Sequence, residues 1–372
     1  MVEKHEFRGI ASLPQEVYDE ITLFFANFGL DPKARITRLM CLRLVSVPFN
    51  RSATRVLLSA VRLSVGRLLE TPQLLQAQSP SSIKPIFTSD LCHSIRYLTV
   101  CSSQACTNTV ERPYGNLYQC LKRLPSLQYF EIDHNNYYSH PQVDLMLLAL
   151  KHAHQYLPRL RGIRIISPWS YLKEDGQPRL CRLEGVLRKY LPQLQHIDIE
   201  FASCSWLTSD ELVETTFLPL FRLGRGLRSI SLEGLGMGAN CHKKHKAGRW
   251  LHRDAPIERI RLHTMVVPFE VLARIFRYKR TLVSLDIMDV SLSTGVWEDF
   301  LEEIHKSPLS FRHISFDGYV EHETYESHNM EENDPARSIY IMVKQKMQAW
   351  PRRRKMIPRP LARFSEHGLH LH

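Results

Sequence analysis

The sequence predicts an α/β fold, in which a short N-terminal helical unit precedes a solenoid of parallel strands with helices on its convex side. Three observations predict it. The pattern apolar-x-x-apolar-x-apolar recurs eight times, beginning at Ile95, Leu127, Leu160, Leu194, Leu227, Ile257, Leu282 and Phe311, at intervals of 25 to 34 residues. Helical periodicity fills several of the intervals. Leu-Pro precedes the second, third and fourth copies, at Leu124-Pro125, Leu157-Pro158 and Leu191-Pro192. Proline disfavours the α region in the residue before it, so each of these helices should end at the same point of the repeat. A strand and a helix, repeated, give parallel strands joined by right-handed crossovers, each unit burying its apolar face against its neighbours.

Composition sets the outer bounds. With 372 residues, 44% of them hydrophobic, the chain can bury a large core in about two or three domains. The N-terminus, MVEKHEFRG, is charged and has no apolar signal region, and no run approaches the roughly 18 apolar residues a membrane helix needs. The expectation is a soluble protein of the cytoplasm or nucleus, or both. The eight cysteines, without a CxxC pair and several of them in apolar runs, read as buried thiols of a reducing compartment. A formal charge of +11 suits nucleic acid or an acidic protein partner.

The first element opens with Ser12 as helix N-cap, Pro14 in the first turn and Glu16 behind it, followed by Val17, Ile21, Phe24 and Phe25 at helical spacing. A turn at Gly29 to Pro32 leads to a second run, Ile36, Leu39, Met40, Leu42, Leu44 and Val45, in which apolar residues are too dense for a helix with a wide wet face. A third run, Asn50 to Leu63, carries Ala53, Val56, Leu57 and Ala60. Three short helices of about fifty residues cannot bury a self-sufficient core, which leaves apolar surface for a partner. Leu13-Pro14 with Val17 and Ile21, then Leu42-Arg43-Leu44-Val45-Ser46 and Phe49-Asn50, resembles the F-box, the motif by which substrate receptors dock on the Skp adaptor of cullin-RING ubiquitin ligases. It departs from that pattern in a longer first interhelical segment, Phe24 to Arg35, and in Pro48 where a basic residue is common. The resemblance implies that Leu13, Pro14, Val17, Ile21, Leu42, Leu44, Val45 and Phe49 contact the adaptor.

Beyond this unit, Ser64 to Leu75 could continue a helix, and Gln76 to Ser82 has linker composition. The repeat follows. Between its copies, Val143 to Leu157, Leu183 to Leu191, Ser209 to Phe221, Phe269 to Tyr278 and Thr294 to Ile304 read as helices. The strand-helix repeat resembles that of F-box proteins with leucine-rich repeats, of which many fungal examples are known, and the two resemblances cover the chain to about Tyr319. After Asp317 the repeat stops, the stretch 321–334 is acidic, Ile339, Val343 and Met347 mark a helix capping the last repeat, and Arg352-Arg353-Arg354-Lys355 opens a basic tail. The expected organisation is an F-box helical domain over 1–63, a linker over 64–90, a leucine-rich-repeat-like solenoid over 91–320, an acidic loop and capping helix over 321–350, and a disordered basic tail over 351–372.

Because successive strand residues face opposite sides, the residues flanking each middle apolar position point to the concave face. These are Tyr129 and Glu131, Gly162 and Arg164, His196 and Asp198, Ser229 and Ser231, Arg259 and Arg261, Ser284 and Asp286, and His313 and Ser315. Glu131, Arg164 and Asp198 fall side by side. They form either a structural charge ladder, worth about 0.2–1 kcal/mol per pair, or a polar groove for a substrate peptide. The stretch 240–253 (NCHKKHKAGRWLHR) is basic. Cys241, His242, His245 and His252 match no zinc signature, so no metal is expected. Lys243, Lys244, Lys246 and Arg249, with Trp250 as an aromatic platform, could hold a phosphate or acidic peptide, against the alternative of a solvated insertion. No GxSxG, P-loop, strand-linked GxGxxG or HExxH occurs, so neither catalytic residues nor a cofactor are expected.

The expected function is therefore substrate recognition in an SCF-type ligase, with the Skp adaptor and through it a cullin-RING ligase as partners, and no bond chemistry in this chain. The candidate substrate-binding residues are Arg164, His196, Arg259, Arg261, His263, Lys243, Lys244 and Arg249, facing an acidic or phosphorylated segment. The competing expectation is a basic repeat scaffold binding nucleic acid or another protein, with the N-terminal helices as a cap. Glu131, Asp198 and Asp286 argue against the nucleic-acid form, since they would repel phosphates along part of the groove.

Overall fold

The structure is a computed structural model and describes residues 13–27, 32–64, 90–101, 112–133, 140–167, 176–201, 220–234, 250–306, 313–317 and 369–370. Three helices come first: α1 (Gln15–Asn27), α2 (Pro32–Leu42) and α3 (Val47–Leu57). Strand β1 (Ala60–Ser64) follows with almost no connection, and the chain continues through β2 (Tyr97–Cys101), α4 (Arg112–Lys122), β3 (Tyr129–Asp133), α5 (His140–Ala153), β4 (Gly162–Ser167), α6 (Gly176–Tyr190), β5 (His196–Phe201) and β6 (Ser229–Glu233). It ends through β7 (Arg259–Pro268), α7 (Phe269–Ala273), β8 (Ser284–Thr294), α8 (Trp297–Lys306), β9 (His313–Asp317) and β10 (Leu369–His370).

All the strands belong to one ten-stranded parallel sheet, ordered β10-β1-β2-β3-β4-β5-β6-β7-β8-β9. Parallel pairing of strands consecutive in sequence requires a crossover at every step, and α4 to α8 lie in the crossovers from β2 to β5 and from β7 to β9. The register repeats without a slip from β1 to β6, with Val61, Leu98, Phe130, Ile163, Ile197 and Ile230 in one inward line and Leu63, Val100, Ile132, Ile165, Ile199 and Leu232 in the next. All of these are buried and join one core cluster with the inner faces of α4, α5 and α6 and with the first residue of each repeat, Ile95 through Leu282. The expected leucine-rich-repeat-like strands therefore lie where the pattern placed them, and the last copy pairs in register as Leu285 with Ile314 and Ile287 with Phe316.

Strands β2 to β8 are each aligned at their start by one carbonyl. The oxygens of Ser59, Arg96, Gln128, Arg161, Gln195, Arg228 and Glu258 each accept two N–H groups, from the last residue before the next strand and from that strand's first residue. Leu124, Leu157 and Leu191, the residues before the three prolines, are fully buried at the helix-to-strand turns. At the far end, Trp297 and Phe300 of α8 meet edge to face at 5.7 Å and Phe300 packs on Phe276, so α8 buries apolar surface against the crossover between β7 and β8.

Three expectations are corrected. Ala60 to Ser64 is a strand and not the end of the third helix, so the sheet begins at Ala60 instead of after a linker. The reason is that Leu58, Val61 and Leu63 already carry the repeat pattern and are all buried. Thr294, expected to open a helix, is the last residue of β8, which pairs with the ten-residue β7 well beyond the common five-residue span. Leu369 and His370, expected in a disordered tail, pair with Val61 and Arg62 as β10, which covers the otherwise unpaired edge of β1. Ser12, the turn at 28–31, the linker 65–89, the helix expected over 209–219, and the acidic loop, capping helix and remaining tail (318–368) lie outside the described residues.

Candidate functional site

Two surfaces carry the chemistry. The first is on the N-terminal helices. α1 buries the line Tyr18, Thr22 and Ala26, spaced four residues apart, and turns its more apolar line outward. Leu13, Val17, Leu23, Phe24 and Phe25 are exposed, Phe24 by 64%. Leu44 (88%) and Val45 (64%) between α2 and α3 and Val47 at the start of α3 project as well, and Met40 is exposed on α2. The unit's own core is small, made of Ala26, Leu39, Ala53 and Leu57 with half-buried Ile36, Leu42 and Val56 against it. What holds α1 to α3 is partly polar: Ser52 Oγ donates to Asp19 Oδ1 at 2.5 Å, and Gln15 Nε2 donates to Ser52 Oγ at 2.6 Å.

Of the residues expected to contact an adaptor, Leu13, Pro14, Val17, Leu44 and Val45 are exposed, and Ile21 and Leu42 are half-buried. Phe49 is 6% exposed and meets Tyr18 edge to face at 4.8 Å, so it is a packing residue and is withdrawn from the contact set. Sequence reading missed Leu23, Phe24, Phe25, Met40 and Val47 as surface groups. Helical spacing identifies an apolar line but not the direction in which the helix is rotated.

The second surface is the open face of the sheet, whose outward side chains form three rows across the strands. The first row is Tyr97, Tyr129, Gly162, His196, Ser229, Arg259 and Ser284. Its aromatic part is ordered: Tyr97 and Tyr129 stack with centroids 4.9 Å apart and planes 5° from parallel, and Tyr129 approaches His196 at 5.8 Å across Gly162. Burial raises the pKa of both tyrosines and lowers that of His196, where Arg259 adds to the effect. The row thus presents neutral rings beside Arg259.

The second row is Arg62, Thr99, Glu131, Arg164, Asp198, Ser231, Arg261 and Asp286. Arg164 lies 3.4 Å from Glu131, 3.2 Å from Asp198 and 3.7 Å from Glu200. Glu131 also accepts from Thr99 Oγ1 at 3.0 Å; burial raises its pKa, opposed by Arg164 and by that hydrogen bond. Arg261 reaches Asp286 at 3.6 Å and lies 2.8 Å from His263 Nε2. His263 is buried between Asp286 (3.2 Å) and Glu233 (3.8 Å). These ion pairs make the row a charge ladder in which Arg164 and Arg261 are engaged, and His263 of the next row is engaged with it.

In the third row, Asp133, Glu200 and Glu233 make the far edge acidic, beside Cys101, Ile166 and His263. Arg62 bridges Cys101 and Asp133, and burial, opposed by Arg62, pushes the Cys101 thiol up to about 11, leaving it protonated and non-nucleophilic at neutral pH. Glu200 and Glu233 are direct cross-strand neighbours; burial first and Glu233 second raise the pKa of Glu200.

The expected basic platform is altered at one residue. Trp250 is 2% exposed, donates Nε1–H to the Val271 carbonyl at 3.2 Å and packs against Phe221, so it is core and cannot serve as a platform for ligand. Lys243, Lys244, Lys246 and Arg249, with Cys241, His242 and His245, lie outside the described residues. Among the described residues no group of three His, Cys, Asp or Glu is placed to hold a metal ion, and no helix is long and apolar enough to cross a membrane.

No protein-family model matches this chain, and no curated protein matches it. Among solved structures, the crystal structure of the yeast Rad7 and Elc1 complex is similar over 84% of this chain and 92% of that chain, at 10% sequence identity and a TM-score of 0.26. A similarity at that level transfers neither fold nor activity.

Proposed function

We propose that this chain is a substrate-recognition subunit of an SCF-type cullin-RING ubiquitin ligase, in which the N-terminal helices dock on a Skp adaptor and the open face of the sheet holds the target protein. One observation carries the reading. α1 and the α2–α3 connection turn Leu13, Val17, Phe24, Leu44 and Val45 to solvent while a smaller, partly polar set holds the three helices together. Exposing large apolar groups costs solubility without stabilising the monomer, which is the mark of a surface built for a partner. The LP, LRLVS and FN elements that resemble the F-box supply its identity. The receptor performs no bond chemistry in this reading.

Co-expression with a Skp adaptor followed by gel filtration tests it. The wild-type chain should co-elute with the adaptor, and Leu44→Asp with Val45→Asp should not, while both melt at the same temperature. Failure of the wild type to co-elute, under conditions where a known F-box control does, overturns the assignment. The nucleic-acid scaffold predicts steeply salt-dependent binding of random oligonucleotides instead; Glu131, Asp133, Asp198, Glu200, Glu233 and Asp286 on the open face oppose it.

A further inference from the structure

The sheet is electrically asymmetric across its width, and the asymmetry follows from its register. Since β2 to β8 are parallel and start on the same carbonyl ladder, the residues that form it lie in one line: Ser59, Arg96, Gln128, Arg161, Gln195, Arg228 and Glu258. The three arginines are exposed and alternate with glutamines from Arg96 to Arg228, and Glu258 closes the line beyond them. Strands are about 4.8 Å apart, which sets the arginines at a pitch of about 9.6 Å. Arg228 is held by Glu258 at 2.9 Å, but with both side chains well exposed that pair exchanges readily for another carboxylate. Directly beside this line runs the Tyr97, Tyr129, His196 and Arg259 row, while carboxylates crowd the opposite edge at Asp133, Glu200 and Glu233. The nearness of line and row is reflected in the tyrosines: Arg96 opposes the burial effect at Tyr97, and Arg161 does so at Tyr129.

We propose that this edge binds an acidic, proline-rich segment of a partner protein in the polyproline II conformation, lying across the strands with its rings on Tyr97 and Tyr129 and a carboxylate at every third residue facing Arg96, Arg161 and Arg228. The pitch selects the conformation. A polyproline II helix has three residues per turn and rises about 3.1 Å per residue, so its i and i+3 side chains share a face about 9.3 Å apart, within a few tenths of an ångström of the arginine spacing. In an extended β-strand, i and i+3 face opposite sides and cannot both meet the line. Tyrosine rings packed in parallel are also the kind of surface on which proline rings dock. Charge decides the sign of the ligand: the cationic line attracts its carboxylates, and the acidic row beyond keeps it at this edge.

The proposal deepens the receptor reading by naming its target chemistry, and it rests on that reading for its biological meaning. Its test uses the free full-length chain, so a failed adaptor co-elution and a failed peptide titration are separate results. Fluorescence anisotropy is measured with a labelled peptide of repeated Glu-Pro-Pro triplets, against peptides of repeated Glu-Pro and of Lys-Pro-Pro. The triplet peptide should bind more tightly than either. Arg161→Glu and Tyr129→Ala should each weaken it by about tenfold, whereas Arg188→Glu, on the exposed face of α6, should leave it unchanged. Circular dichroism and melting curves establish that the variants are folded. No binding of the triplet peptide, equal binding of triplet and doublet peptides, or wild-type affinity in folded Arg161→Glu overturns the proposal. So does displacement of the peptide by a single-stranded oligonucleotide at lower concentration, which would make the tyrosine row a base-stacking platform.

Discussion

Gly162 is where the aromatic row depends on a missing atom. A Cβ at this position would lie 2.2 Å from Tyr129 Cδ1 and 2.5 Å from Cε1, so the ring covers the glycine and is thereby held against Tyr97. Gly162→Ala must push the ring aside. Tyr129 is only half-buried and can swing toward solvent, so the expected cost is modest, about 1 kcal/mol, but the stack should be lost. Urea unfolding and near-ultraviolet circular dichroism read the two effects separately, and an unchanged tyrosine signal would refute the covering role. Glu200 offers a test by pH. Its folded pKa is raised above the ordinary 4.5, by burial and then by Glu233. The folded state therefore holds this proton more tightly than the unfolded state, and the stability that it brings is lost as pH rises through the raised value. Glu200→Gln should raise the stability measured by urea unfolding at neutral pH, by no more than about 1 kcal/mol because the half-buried site is partly screened by solvent. The gain should vanish below pH 4.5. A gain that persists in acid would point away from the carboxylate charge.

Among the elements, α3 and the α2–α3 connection divide two duties that their sequences do not separate. Phe49 and Leu44 are both large apolar residues of the N-terminal helical unit, yet Phe49 is packed on Tyr18 and Leu44 stands in solvent. Phe49→Ala should therefore cost about 3 kcal/mol or more, the usual range for emptying a packed aromatic site, and should lose adaptor co-elution only because the helices come apart. Leu44→Asp should cost within about 0.5 kcal/mol, as surface changes do, and lose co-elution with the fold intact. Thermal melting combined with co-elution distinguishes them, and equal melting temperatures for the two variants would contradict this division. The helices between strands follow another rule: Tyr190 of α6 donates its hydroxyl to the Leu150 carbonyl of α5 at 2.8 Å, tying neighbouring crossovers by a buried bond as well as by apolar packing.

For the whole molecule, the consequential feature is that α3 runs into β1, which makes the helical unit and the sheet continuous. Ser59 at the junction accepts the Arg96 and Tyr97 N–H groups, and β1 pairs with β2 along its full length. A chain beginning at residue 65 would strip β1 and leave β2 with an open edge of unpaired backbone groups and an uncovered core end, a surface prone to aggregate. A chain beginning at Leu58 would keep both. We expect the shorter chain to aggregate or to lose hydrogen-exchange protection in β2 and β3, and the longer one to remain monomeric with those strands protected. Equal behaviour of the two would show that β1 is not the cap of the sheet.

The strand positions were legible in the sequence because a strand's inward residues repeat every second position, and the buried lines at Leu98 and Val100 through Leu285 and Ile287 follow that period without interruption. The helix stops at Leu124, Leu157 and Leu191 were legible for an equally local reason, the restriction that proline imposes on its predecessor. So was the ladder of Glu131, Arg164 and Asp198, since equal offsets from repeated strands become neighbours in a parallel sheet. Tertiary structure alone decided the rotation of α1: Tyr18, Thr22 and Ala26 form one line and Val17, Ile21 and Phe24 another, and only packing against α3 selects which is buried. It also decided that Trp250 lies in the core, through a contact with Val271 that no spacing within its own segment encodes. Leu58, Val61 and Leu63 carried the repeat signal but continue a helical run, and the pairing partner in β2 resolves that ambiguity. Local period determines what a segment can bury, whereas the direction and the partner of that burial are properties of the assembled chain.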